Sequence, residues 1–543
     1  MTDLEIPEPH ARKGHYRFFE ILPFSLSLFM IALPFILSAI STTLAAFFVL
    51  MYIFIYLTRA IAVAIRSLRG YGVMRRNQRL NWLALLDELE SGHTGDAAIV
   101  RPSWHLNQLK RHSNGALHLK PSELYHVIIV ATYNESREVL EPTIQSILAS
   151  NYTMDKVILI LGYEERVAYE QPGGELREQQ AIDLIDEYKS RFHYAEAIKH
   201  PFNIPGEVPG KGANIVFAGK KLQAYLEEQG IDPLNVIVTT LDADNHPDKE
   251  YLACLSYSYV ACPDPVRASF QPISMYTNNI WDAPAPMRVL ATGNSIYNIV
   301  LSMRPHAMRN FSSHAQGMAS LLKTNFWSVR TIVEDGHQFW RSYFAFDGNY
   351  VVYPLHVPIY QDAVLGDTYR RTLKMQFKQL RRWTYGASDI AYVIDKGYFH
   401  KNKVPRFDLL AKTLRLTEGH VTWAVAPVLT LIGGFIPVLF DSHSLAANQL
   451  PNIVSRIQTF ALAGGLVTIY LCLKTLPPKP ERYKRHRTLF MVMQWVYLPI
   501  TTLAYHSFAA FYSQTRLALG KYMDKFDVTE KAVATDKKHA PSL

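Results

Sequence analysis

Two long apolar runs open the chain, and short apolar runs alternating with amphipathic stretches follow. Residues 21–40 are apolar or uncharged throughout, and residues 44–65 carry one charge, Arg59. Further apolar runs cover 421–440, 459–473 and 489–510. About 20 apolar residues match the hydrocarbon thickness of a bilayer, so these runs predict membrane helices, with 459–473 the shortest. The first run is too long for a signal peptide, and the second follows with no cleavage site. The pair therefore predicts two membrane helices joined by a tight turn at 41–43.

The middle of the chain has another rhythm. "HVIIVAT" (126–132), "KVILIL" (156–161) and "VIVTTL" (236–241) are short apolar runs ending in turn residues, which predicts buried strands. "VLEPTIQSILAS", "AIDLIDEYKSRF" and "KGANIVFAGKKLQAYLEEQ" have helical spacing. Strands alternating with helices predict an α/β domain with a mostly parallel sheet and helices on both faces. In such sheets ligands bind beyond the carboxyl ends of the strands.

Charge orients this plan. Arg12, Lys13 and Arg17 precede the first apolar run, and Arg66, Arg69, Arg75, Arg76 and Arg79 follow the second. The stretch "KPERYKRHR" (479–487) follows the fourth. Basic flanks stay cytoplasmic, so the central segment is expected in the cytoplasm. The formal charge of +9 is mostly explained this way, and nucleic acid need not be invoked. With 49% hydrophobic and 19% charged residues, disorder is expected only at the ends. Three cysteines without C-x-x-C spacing indicate reduced thiols and no metal knuckle.

The candidate chemistry is acidic. "LDADNHPD" (241–248) places Asp242 and Asp244 two apart at the end of a predicted strand. In extended backbone they point the same way, and two converging carboxylates call for a cation. Hard oxygen ligands suit Mg²⁺ or Mn²⁺, completed by substrate phosphates, although a solvated acidic turn has the same composition. Asp248 reads as a cap for the helix that follows. "VPGKGANIV" puts Lys211 between glycines at a helix start, where phosphate is attracted. "TIVEDGHQFW" sets Glu334 and Asp335 among apolar residues, which suits a general base or equally a helix N-terminus. In "KQLRRWTYG", Gln379, Arg382 and Trp383 share one helical face, with arginine as a phosphate fork and tryptophan as a stacking surface. An amphipathic helix at the membrane surface is the plainer account of that stretch, and it explains Arg381 best.

The order "ATYNE", K-x-x-N, D-x-D, E-D, Q-x-x-R-W resembles family 2 glycosyltransferases of the GT-A fold, in particular the membrane-embedded cellulose synthase and hyaluronan synthase branch. The resemblance covers about residues 125–386, and "FDVTEK" (526–531) is similar to the gating loop of that branch. It implies the following roles. Asp242 and Asp244 lie at the nucleotide diphosphate, with Asp244 favoured as direct metal ligand. Lys211 lies by the nucleotide, and Asp335, beside Glu334, is the general base. Arg382 holds the leaving diphosphate, Gln379 lines the donor side, and Trp383 contacts the acceptor sugar. Phe526, Val528, Thr529 and Lys531 form the gate. The chain departs from the pattern at "LGYEER", where the family has a base-reading aspartate; Glu164 or Glu165 takes that place.

The implied function is inverting transfer from a nucleotide-sugar donor, a UDP-sugar, onto a growing polysaccharide, with Mg²⁺ or Mn²⁺ and passage across the membrane. A non-processive enzyme acting on a lipid or other acceptor is the alternative. A non-catalytic nucleotide-binding membrane protein is a further one. The expected organisation is a membrane region at 1–70, a cytoplasmic glycosyltransferase domain at 71–400, interfacial and transmembrane helices at 401–519, and the gating motif with its tail at 520–543. The expected location is a bacterial inner membrane. A cytoplasmic gate needs an even number of crossings. Five runs give an odd number, so a re-entrant or broken segment is expected near Pro499.

Overall fold

The computed structural model describes residues 3–113, 119–484 and 486–524. Eight strands form one sheet: β1 (Tyr125–Thr132), β2 (Val157–Glu164), β3 (Tyr194–His200), β4 (Val236–Asp242), β5 (His246–Pro247), β6 (Ala268–Tyr276), β7 (Ala315–Gly317) and β8 (Val351–Gln361). The order across the sheet is β3-β2-β1-β4-β7-β6-β8-β5. The β3-β2-β1-β4 half is parallel, as the strand–helix alternation predicts. The other half is mixed: β7 runs antiparallel to both neighbours, β6 pairs with β8 in parallel, and β5 is antiparallel to β8. The expectation of a mostly parallel sheet is thus corrected to a mixed one, with four parallel and three antiparallel ladders among the described residues.

Alternation along the strands explains the layers. Ile128 and Val130 of β1 face one buried cluster together with Leu140, Ile144 and Leu184 from helices Arg137–Leu148 and Gly174–Tyr188. Val127 and Ile129 face the other cluster with Ile215 and Leu222 of helix Lys211–Glu228. The period of two therefore buries both faces of the strand.

The sheet is also curled. Only residues 243–245 link β4 to β5, although β7, β6 and β8 lie between them in the sheet. Four residue steps reach at most about 14 Å, whereas four strand spacings on a flat sheet need about 19 Å. The far half must bend back over the end of β4, which draws the ends of β6 and β8 to the Asp242–Asn245 turn.

Five helical segments among the described residues are long and apolar enough to cross a membrane: Gly14–Ile40, Thr42–Asn77, Arg406–Phe440, Leu445–Thr475 and Arg487–Ala518. Large apolar side chains such as Phe47, Phe54, Phe460 and Leu466 are exposed on them, as lipid-facing residues are. The turn between the first two falls at Ser41, as expected. The short 459–473 run is only the apolar part of a 31-residue helix. The expected re-entrant or broken segment near Pro499 is not seen: Arg487–Ala518 runs as one helical span that tightens at Gln494–Tyr497 and widens at Thr502–Ser507, with right-handed helical backbone at each junction, and Pro499 sits at the start of the Leu498–Thr501 stretch. Arg59, the one charge in the second run, pairs with Glu418 at 2.6 Å.

The second helix runs past the expected boundary at 70 and into the sheet domain. Met74 packs with Ile273, Met275 and Ile299, and a Cβ on Gly70 would stand 2.6 Å from Ile299 Cγ2. Arg288 donates to Gln494 in the last helical span at 2.5 Å. The sheet domain is therefore seated directly on the apolar helices.

Candidate active site

Asp242 is the last residue of β4, and the chain leaves the strand through Ala243, Asp244 and Asn245. The curl supplies the partners of Asp244: the backbone N–H of Asp362, just past β8, donates to its Oδ2 at 3.0 Å, and Asn278, past β6, donates to its carbonyl at 3.0 Å. Asp244 is buried, while the Asp242 side chain is 35% exposed. Ser312 donates to Asp242 Oδ2 at 2.8 Å. Asp248, read as a helix cap, accepts from the Glu250 N–H at 3.1 Å just before helix Tyr251–Ala261.

Lys211 is the first residue of its helix, and its ammonium lies between two acids distant in sequence. It is 2.9 Å from Asp242 Oδ1 and 3.3 Å from Asp335 Oδ2. Burial opposes the Lys211 charge, but Asp242, Asp335 and Glu334 outweigh it and hold its proton affinity above the usual lysine range. Gly212 makes the approach feasible, because a Cβ there would stand 2.7 Å from the Ser328 carbonyl and 3.2 Å from Glu334 Cβ. Asn214, the last residue of K-x-x-N, donates to the Gly162 carbonyl at 3.0 Å and ties this helix to β2.

Glu334 and Asp335 open helix Glu334–Ala345. The general-base and helix-start expectations thus describe one place, since a first turn favours negative charge. Burial pushes the Glu334 carboxyl well above the usual range, Asp335 adds to the shift, and Lys211 and Arg382 oppose it. Arg382 acts from helix Tyr369–Thr384. On the same helix, Trp383 lies 6.1 Å from the ring of Tyr276, and Gln379 accepts from Gln376 at 3.1 Å. Arg381 turns away, its guanidinium 5.4 Å from the Tyr512 ring centre. The structure therefore brings Lys211, Asp242, Asp244, Glu334, Asp335, Arg382 and Trp383 to one end of the sheet.

Glu164, at the end of β2, is buried and engaged. It accepts from Arg166 Nε at 3.1 Å and faces His200 Nδ1 at 3.2 Å, and Arg166 stacks over Tyr133 of "ATYNE" at 4.3 Å. Glu165 accepts from the Phe202 N–H at 2.8 Å. Phe526, Val528, Thr529 and Lys531 lie outside the described residues. The segment before them is anchored by Met523, whose N–H donates to Tyr385 at 3.2 Å.

Four residues escaped the sequence reading. Tyr276 ends β6 among the acids: burial raises its phenol, Asp242, Asp244 and Asp335 add to that, and Arg382 opposes it. Ser312, Ser313 and His314 form a turn whose string "FSSH" has no periodicity or motif spacing to flag it.

The oxygen donors of Asp242 and Asp244 suit a hard divalent cation. Among the described residues no group of three or more His, Cys, Asp or Glu could hold a metal ion. An ion here fits only by taking further ligands from phosphate, which is how Mg²⁺ is commonly held.

No protein-family model and no curated protein matches the chain. Similar solved structures include mannosyltransferase PcManGT from Pyrobaculum calidifontis in complex with GDP-Man and Mn²⁺, at 13% identity and TM-score 0.40, covering 75% of this chain and 99% of that one. S. aureus TarS 1-349 in complex with UDP is another, at 10% identity and TM-score 0.35, covering 75% and 94%. The same fragment with UDP-GlcNAc gives 9% identity and TM-score 0.28, covering 66% and 93%. Likeness of this degree assigns no activity to this chain.

Proposed function

We propose that this protein is a membrane-bound inverting glycosyltransferase of the family 2, cellulose synthase-like type, moving a sugar from a nucleotide-sugar donor, a UDP-sugar, to an acceptor hydroxyl. One observation carries the proposal: Lys211 bridges Asp242 and Asp335, residues from three separate motifs, at the end of the sheet where ligands bind.

In this reading Asp335 Oδ2 takes the acceptor proton, and the acceptor oxygen bonds to the anomeric carbon. The bond from that carbon to the diphosphate breaks, and the nucleoside diphosphate leaves with the electron pair. One displacement inverts the anomeric centre. Arg382 and Lys211 offset the negative charge that develops on the diphosphate. Asp244 and Asp242 would hold a Mg²⁺ or Mn²⁺ ion, which supplies further charge neutralisation there. Gln379 lines the donor side. Glu164 acts on the base side by holding Arg166 against Tyr133. Trp383 presents its ring to the acceptor.

The acceptor side adjoins the apolar helices. Trp383 belongs to a cluster with Trp423 of segment Arg406–Phe440 and Tyr505 of segment Arg487–Ala518. That placement suits a polymer threaded into the membrane, and equally a single transfer to a lipid-linked acceptor. We propose the polymer as product, with Phe526, Val528, Thr529 and Lys531 as a gate. Purified protein in nanodiscs, given UDP- and GDP-sugars with Mn²⁺, Mg²⁺ or chelator, should release nucleoside diphosphate from one donor only with metal, and Asp335→Asn should not. Release that is unchanged in Asp335→Asn rejects the mechanism. Products one sugar long replace the polymer with the lipid acceptor.

A further inference from the structure

The turn at residues 311–314 lies against three acids of the candidate site, Asp242, Asp244 and Asp335. Ser312 donates to Asp242 Oδ2 at 2.8 Å. With the Asn245 amide oriented so that both ends are satisfied, Ser313 Oγ donates to Asn245 at 2.5 Å, and Asn245 donates to Asp244 Oδ1 at 3.2 Å. His314 Nδ1 faces Asp335 Oδ1 at 3.6 Å. Three consecutive side chains thus address three carboxylates up to 93 positions apart in sequence: Ser312 directly, Ser313 through the Asn245 amide, and His314 across 3.6 Å.

Such divergence requires an unusual backbone. Ser313 has φ +69°, the left-handed region that a residue with a Cβ seldom adopts. Strain of this kind persists only where the surroundings enforce it. Here Gln271, at the irregularity of β6, grips the turn with both ends of its amide. It accepts from the Phe311 N–H at 2.7 Å and donates to the Ser312 carbonyl at 3.1 Å.

The tautomer of His314 is set by its partners. The Trp327 indole donates to His314 Nε2 at 3.2 Å, so Nε2 must be the acceptor. The proton of the neutral ring then sits on Nδ1, where it donates to the Phe311 carbonyl at 2.9 Å and faces Asp335. Full burial favours the neutral ring. Asp335 Oδ1 is buried with no hydrogen-bond partner among the described residues, while Oδ2 faces Lys211. A separation of 3.6 Å is longer than a hydrogen bond, and the single Nδ1 proton already donates to the Phe311 carbonyl; a small swing of the carboxylate brings Oδ1 within reach of that same proton as a shared, three-centre bond.

We propose that residues 312–314 are the common positioning element for the three acids, and that His314 is the positioning residue for Asp335. Its N–H, shared with the Phe311 carbonyl, steadies Oδ1 from behind and leaves Oδ2 to take the acceptor proton, with Trp327 forbidding the tautomer that would put a lone pair against the carboxylate. This rests on Asp335 being the base.

The test combines kinetics with a measurement that needs no turnover. With UDP-glucose, UDP-GlcNAc and GDP-mannose as donors, His314→Leu should lower kcat about 100-fold with donor KM within about twofold. His314→Asn, whose amide N–H can replace Nδ1–H, should keep kcat within about fivefold of the native protein. Equal kcat for His314→Leu and the native protein, or equal losses in the Leu and Asn variants, overturns the proposal. Activity retained in Asp335→Asn overturns instead the assignment of the base. Solid-state NMR of ¹⁵N-histidine-labelled protein in nanodiscs, with His314→Asn to assign the signal, should show the proton on Nδ1. Trp327→Phe should shift it toward Nε2. A native signal with the proton on Nε2 overturns the proposal, whatever the donor and however the Leu variant folds.

Discussion

Glu164 and Glu334 are both buried glutamates at the carboxyl end of the sheet, and their surroundings treat them in opposite ways. Glu164 contacts a guanidinium and an imidazole directly, Arg166 at 3.1 Å and His200 at 3.2 Å. Burial lowers the His200 proton affinity, but Glu164 and Glu207 outweigh it and raise the pKa to about 9. This ion cluster is balanced. Glu334 instead lies next to a second acid, with Lys211 and Arg382 opposing only part of the effect, and its carboxyl is pushed upward. A buried acid that serves structure is neutralised on the spot. In the proposed site Glu334 sits in a frustrated field beside two cations, Lys211 and Arg382, that only partly oppose its neighbouring acid.

The first way to break this contrast is Asp335→Asn, which removes the proposed base while preserving shape. We expect kcat to fall about 1000-fold, with nucleotide binding by calorimetry kept within threefold, about 0.7 kcal/mol. Next is Lys211→Met, which leaves Asp242 and Asp335 without their shared cation. Here kcat/KM should drop about 100-fold, a loss of roughly 3 kcal/mol of transition-state stabilisation. Near-native kcat/KM in this variant would mean that the bridge is structural, like the Glu164 cluster.

On the other side of the contrast, Glu164→Gln should act mainly on stability. It leaves Arg166 and His200 short of their carboxylate and should cost about 2 kcal/mol, read as a lower thermal midpoint in detergent. Donor KM should rise only about threefold, since the wall of Arg166 and Tyr133 loosens but remains. A large loss of kcat would place Glu164 in the machinery instead. The smallest effect is on pH dependence. The folded pKa of His200 is raised above its unfolded value near 6.5. Its stabilisation is therefore complete below pH 6.5 and lost as pH rises through about 9. Glu334 acts with the same sign, because its raised proton affinity also makes deprotonation costly in the folded state. Glu164→Gln should flatten the thermal-midpoint slope between pH 6.5 and 9, and Glu334→Gln should remove a separate part of it. An unchanged slope in both variants removes the electrostatic account.

Three strands of the parallel half, β1, β2 and β4, were legible because they are uninterrupted apolar runs and coincide with the expected ones; β3, the edge strand "YAEAIKH", is half-exposed, carries charge and was not expected. The mixed half was not. Pro272 sits at the register shift of β6, and β8 contains Pro354 and Pro358, so neither reads as a strand. The motif residues were legible one by one through composition and order. That Lys211 bridges two of the acids was not, because Lys211, Asp242 and Asp335 are far apart in the chain.

The sequence alone determined the apolar segments, the apolar runs that build three of the parallel strands, and the acids and cations available for chemistry. These follow from local patterns, where hydrophobic period and backbone restriction act within a few residues. Only the tertiary structure decided how those residues meet. The curl of the sheet over the short 243–245 link supplies the partners of Asp244, and the left-handed turn at Ser313 points Ser312 at Asp242, Ser313 at the Asn245 amide and His314 toward Asp335. Both depend on contacts between distant parts of the chain, which impose a backbone that no local preference would select.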